Sequence, residues 1–143
     1  MYVLSRTSKQ RLETCDEDIQ RVINLAIKRT CVDFGVAEGH RPVKRQKKLY
    51  AQGRTEPGSI VTYVDGVNEL SEHNYVPSKG IDIYAWVNGK AVWSGKYMAY
   101  LAGVIMSCAS ELGINLVWGA NWDDDGQLYD DQNFIDAPHY QLK

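Results

Sequence analysis

The chain has 143 residues, 44% hydrophobic and 24% charged, which suits one globular domain with a sizeable core. Its net charge of −2 excludes a general electrostatic pull toward nucleic acid or an anionic membrane. The opening Met1-Tyr2-Val3-Leu4-Ser5-Arg6 lacks the basic head and apolar run of a signal peptide, and no apolar stretch approaches a membrane span, so neither a leader nor stable membrane association is expected.

In chain order, the first strong helix signal follows Thr14. Thr14-Cys15-Asp16-Glu17 has the capping-box pattern, with Thr14 as N-cap and Glu17 reaching back. Ile19, Val22, Ile23, Ala26 and Ile27 then recur on one helical face. Val32, Phe34 and Val36 predict a short strand between Cys31 and Ala37. Arg41-Pro42 opens a second helix that runs to Gln52, with Gly53 as its stop. Residues 54–77 are rich in Gly, Pro, Thr, Ser and Asn and read as a long loop, a place where function concentrates. Ile81 to Val87 alternates into the hairpin turn Asn88-Gly89, and Lys90 to Trp93 returns as its partner. Tyr97 to Leu112 is a third helix, ended by Gly113. Ile114 to Trp118 is a strand, an acidic loop follows, and a strand through His139-Tyr140-Gln141-Leu142 closes the chain. These elements predict an α+β fold: one small domain over residues 1–143, with an antiparallel sheet and helices packed on one side.

Cys15, Cys31 and Cys108 are an odd set without a framework or zinc-knuckle spacing, so buried or incidental thiols are expected. Cys108 falls on the core face of the third helix, a poor place for a nucleophile.

The three histidines carry the best chemical signal. His73 ends the long loop. Asp82 follows nine residues later between Ile81 and Ile83, and alternation turns it away from the core. His139 lies in the closing strand. Two imidazoles and a carboxylate suit a catalytic zinc with a fourth position left for water, although many His and Asp residues can be read into such a set. His40 is the rival ligand.

Ser71-x-His73 followed by Pro77-Ser78-x-Gly80-x-Asp82 resembles the signature of the zinc peptidases that include D-alanyl-D-alanine carboxypeptidases and L-alanyl-D-glutamate endopeptidases. Asp136-x-x-His139 with Gln141-Leu142 resembles that family's closing signature. Gly39-His40-Arg41, Gln46, Gln52-Gly53-Arg54 and Trp118-Gly119-Ala120-Asn121-Trp122 extend the likeness, which is nearest to the short phage endolysins. Two departures stand out. The commoner spacing from His to Asp is seven rather than the nine found here, and Gly80 replaces a more usual Ala.

The resemblance implies zinc (Zn2+) on His73, Asp82 and His139. Asp136 is the implied catalytic base, the alternative being a group that only orients His139. Arg41 is implied to stabilise an anionic intermediate or a substrate carboxylate, the alternative being a surface Arg that begins a basic helix. Ser71, Gln46 and Trp122 are candidate substrate contacts, Ser71 alternatively serving the loop of His73. The implied substrate is a peptidoglycan stem peptide cut at L-alanyl-D-glutamate. The implied setting is a monomeric endolysin held in the host cytoplasm until release to the wall. A carboxypeptidase and a non-catalytic metal-binding module remain the alternatives.

Two further runs are read blandly. Lys44-Arg45-Gln46-Lys47-Lys48 is a solvated helix face. Asn121-x-Asp123-x-Asp125-Gly126 resembles half of a calcium loop, but its twelfth position is Gln132, so an acidic surface loop above Trp118 and Trp122 is expected.

Overall fold

The computed structural model describes all of residues 1–143. Helices α1 (Arg6–Leu12) and α2 (Glu17–Arg29) precede strand β1 (Phe34–Glu38) and helix α3 (Val43–Ala51). A short 3-10 turn (Glu72–Asn74) leads to β2 (Gly80–Val87), β3 (Lys90–Val92), α4 (Gly95–Leu112), β4 (Leu116–Trp118) and β5 (His139–Leu142).

The sheet is antiparallel in the order β1-β2-β5-β4, with β3 on the far end of β2. Alternation along β2 buries Ile81, Ile83 and Ala85 against the helices. They join Val22, Ile23 and Ala26 of α2, Leu101 and Ile105 of α4, and Tyr140 of β5 in one core. The opposite sheet face carries Asp82 and His139 and is walled by the two long segments 52–79 and 119–138.

Two sequence expectations shift. Asp16, not Thr14, caps α2, its carboxylate accepting from the Asp18 amide. The Thr14 hydroxyl instead donates to Arg11 and accepts from the His40 amide, so it clamps two loops. The strand starts at Phe34 rather than Cys31, because the Thr30 hydroxyl first turns the chain by pairing with both the Val32 amide and carbonyl.

Helix α1, unforeseen in the sequence, covers the free edge of β1. Ser8 Oγ accepts from the Val36 amide and Arg11 donates to the Val36 carbonyl, so both outward groups of that residue are satisfied.

No helix is long and apolar enough to cross a membrane. All three cysteines are free, Cys15 and Cys108 being buried and Cys31 exposed. Burial pushes the Cys15 thiol up to about 12.

Candidate metal centre

His73, Asp82 and His139 come from the loop before β2, from β2 and from β5. Register places Asp82 directly opposite His139, so two of the three are cross-strand partners. The third is brought in by the 3-10 turn. Ser71 caps that turn by accepting from the His73 amide, and Asn74 reaches back to the Ser71 amide. The His73 carbonyl takes the Arg41 amide and the Asn74 side chain donates to the Arg41 carbonyl, which pins the turn to the β1–α3 junction. The longer gap to Asp82 is therefore held firmly. Gly80 has its own reason, since a Cβ there would press within 2.9 Å of the His139 ring.

Three atoms converge. His73 Nε2 lies 3.1 Å from His139 Nδ1 and 3.3 Å from Asp82 Oδ1, and His139 Nδ1 lies 3.0 Å from that same oxygen. Tetrahedral zinc with ligand bonds of about 2.0–2.1 Å needs ligand atoms about 3.3 Å apart.

The outer ring nitrogens are both occupied. His73 Nδ1–H donates to the Gly39 carbonyl at 2.7 Å, and His139 Nε2–H donates to Gln141 Oε1 at 2.8 Å. These bonds leave the inner nitrogen of each neutral ring as a lone pair. Two lone pairs and a carboxylate oxygen then point at one spot, an arrangement that only a cation satisfies. The donor set thus fits a metal ion.

The electrostatics agree. Burial opposes ionisation of Asp82, but bonds from His139 and His73 outweigh it and hold the carboxyl well below the usual range. Burial would likewise lower His139, yet the bond and charge from Asp82 outweigh it and raise it. Proton and metal compete for the same lone pairs.

Around this centre lies an open groove of about 780 Å³. Its lining includes Arg41, Ser71, Trp122, Asp123, Phe134 and Asp136. Asp136 faces it with no hydrogen bond to its carboxylate. Burial, then the charge of Asp82, raises its pKa.

Arg41 is 8% exposed and firmly held. Its Nε and Nη2 donate to the two oxygens of Glu38 at 2.9 Å each, Nη1 donates to Gln46 Oε1 at 2.7 Å, and Nη2 stands 3.7 Å from the outer oxygen of Asp82. It is not the surface Arg of the alternative reading. Bonds from Arg41 and Arg45 outweigh burial and keep Glu38 low.

Gln46 requires a correction as a substrate contact. It is fully buried, and its amide also donates to Thr62 Oγ1 and the Val64 carbonyl, so it ties Arg41 to the long loop. Ser71 is used in the turn of His73. Trp122 does border the groove, with its ring 5.8 Å from that of His139 and its N–H bound to the Phe134 carbonyl. His40 lies outside the converging group, its Nδ1 against the Tyr75 carbonyl at 3.1 Å.

Residues whose part in the site the sequence motifs did not reveal are Glu38, the carbonyl of Gly39, Gln141 and Gly119. Gln141 was findable, since two residues past His139 on a strand means the same face. Gly119 sits against the Asp136 turn: its carbonyl accepts from the Asp136 amide, its amide donates to the His139 carbonyl, and a Cβ would overlap the Asp136 carbonyl. Elsewhere, Asp123, Asp125 and Asp131 bring exposed carboxylates within 4.8 Å of one another. The loop's twelfth position, Gln132, accepts from the Trp122 amide.

Comparison with known proteins places these features. The chain is 32% identical over 117 residues to the peptidoglycan L-alanyl-D-glutamate endopeptidase CwlK of Bacillus subtilis, covering 78% of this chain and 61% of that protein. It is 23% identical over 144 residues to the L-alanyl-D-glutamate peptidase of Escherichia phage T5, covering 99% and 98%. The fold matches the crystal structure of the Serratia marcescens L-Ala D-Glu endopeptidase ChiX with a TM-score of 0.75 and 27% identity, over 99% of this chain and 90% of that one. Residues 1–143 match the family model for the phage L-alanyl-D-glutamate peptidase along their whole length, and the chain belongs to that family.

Proposed function

We propose that the chain is a zinc-dependent peptidoglycan endopeptidase that hydrolyses the L-alanyl-D-glutamate bond of the stem peptide. The observation that carries this is the convergence of His73 Nε2, Asp82 Oδ1 and His139 Nδ1 at 3.0–3.3 Å with both outer nitrogens engaged. The family gives the bond and the substrate class.

Bound between these three groups, zinc supplies Lewis acidity that polarises a peptide carbonyl and acidifies a water. Asp136 takes the proton from the attacking water. Its raised pKa makes it a stronger base than an ordinary carboxylate, and the same group returns the proton to the leaving amine. Arg41, immobilised by Glu38 and Gln46, keeps a fixed positive charge beside the centre where negative charge develops on the carbonyl oxygen. Trp122, Phe134 and Tyr63 line the groove, the Tyr63 and Phe134 rings meeting edge to face at 5.2 Å, and they hold the peptide in it. The chain acts on the wall once released from the cytoplasm in which it is made.

Zinc content and product chemistry test this together. Purified protein is expected to carry one zinc, His139→Ala to carry none, and digestion of peptidoglycan to expose new N-terminal D-glutamate by mass spectrometry. Release of free D-alanine without stem cleavage would instead assign a carboxypeptidase. Full activity after exhaustive chelation overturns the metal reading.

A further inference from the structure

The sheet face that holds the metal ligands carries a second constellation. Alternation puts Asp82, Tyr84 and Trp86 of β2 on that same face. The Tyr84 and Trp86 ring centres lie 6.3 Å apart, and Trp93, just past β3, comes within 5.7 Å of Tyr84. Gly35 lies opposite Tyr84, and its missing Cβ leaves the space that the Tyr84 hydroxyl occupies. Trp86 is 44% and Trp93 49% exposed, so two of the chain's largest apolar side chains stand half in water, each against Tyr84. A grouped aromatic surface of this kind marks an interaction site.

We propose that Tyr84, Trp86 and Trp93 form a docking platform for a sugar ring of the glycan strand that bears the stem peptide. The proposal rests on the peptidoglycan reading above. A pyranose ring offers an apolar C–H face ringed by polar groups. A flat indole covers that face and leaves the rim to water. No charge is needed on either side, and the platform supplies none.

Reach fits as well. The stem peptide joins the glycan through a lactyl ether, and L-alanine is its first residue. A sugar therefore lies roughly 8–10 Å from the L-alanyl carbonyl, the length of two to three extended units. The four-residue step from Asp82 to Trp86 spans about 13 Å, with Tyr84 midway. The groove lining includes Asp82 and none of the three rings, which lie outside it further along β2. A substrate with its L-alanyl carbonyl at the centre thus places D-glutamate in the groove and its sugar over the rings.

The test compares hydrolysis of a soluble disaccharide–tripeptide with that of the same tripeptide without sugar. Wild type is expected to favour the sugar-bearing substrate through KM. Trp86→Ala/Trp93→Ala is expected to raise that KM about tenfold, with kcat and sugar-free hydrolysis unchanged. Trp86→Phe/Trp93→Phe keeps most of the preference. No preference in wild type, retained preference in the double Ala variant, or an equal fall on both substrates overturns the platform. Wild type that cleaves neither substrate overturns the peptidase reading instead. Self-association abolished by Trp86→Ala, with sugar preference intact, gives the rings to a second copy of the chain and overturns the sugar.

Discussion

Both histidine rings of the candidate metal centre are set by a partner outside the converging group, the Gly39 carbonyl for His73 and Gln141 for His139. Gln141 fixes the tautomer of His139, so Gln141→Leu should weaken zinc affinity about 10–100-fold while leaving all three ligands in place. Competition against a chromogenic chelator measures it. Asp136 is separable in the other direction. Asp136→Asn should retain stoichiometric zinc and lose at least about 100-fold in kcat. Because burial raises this carboxyl, and the base must be ionised, activity falls as pH drops through a value above the ordinary carboxylate range. A kcat/KM profile with its acid limb at ordinary carboxylate pH would contradict that. The meeting of His73, Asp82 and His139, with Asp136 facing the same groove, was legible because their spacing carries a motif. The duty of Gln46 was not, since nothing in Lys44-Arg45-Gln46-Lys47-Lys48 marks one residue of a basic helix as fully buried.

The regular elements were legible where apolar period and turn residues coincide, as in α2, α4 and the β2–β3 hairpin. Helix α1 escaped because it runs only seven residues and buries just Ser8 and Leu12. Its work is done by polar side chains on the β1 edge, which no hydrophobic period reports. The loop from Trp118 to His139 is likewise shaped by backbone contacts, with Gly119 as the surface on which the Asp136 turn rests. Gly119→Ala should displace that turn, costing about 1–3 kcal/mol of stability. Activity should fall further than zinc content, because Asp136 moves while Asp82 and His73 stay. A thermal melt paired with metal analysis and a rate assay distinguishes this from simple unfolding.

Across the whole molecule, β5 is an interior strand between β2 and β4 and buries Tyr140 to 1% exposure. Because β5 carries His139, losing the strand would weaken the candidate metal site. The strand order predicts more: removal of Tyr140–Lys143 should abolish the cooperative melt along with zinc binding, as followed by circular dichroism. That order also has a temporal side. β2 and β4 join one sheet only once β5 lies between them, and Asp82 meets His139 across 57 residues of chain. Contacts of such long range form late, since loop-closure entropy must be met before they reward it. In refolding from denaturant, capture of zinc should share one rate constant with the burial of Tyr140. An indicator dye reporting free metal would therefore act as a stopwatch for sheet completion.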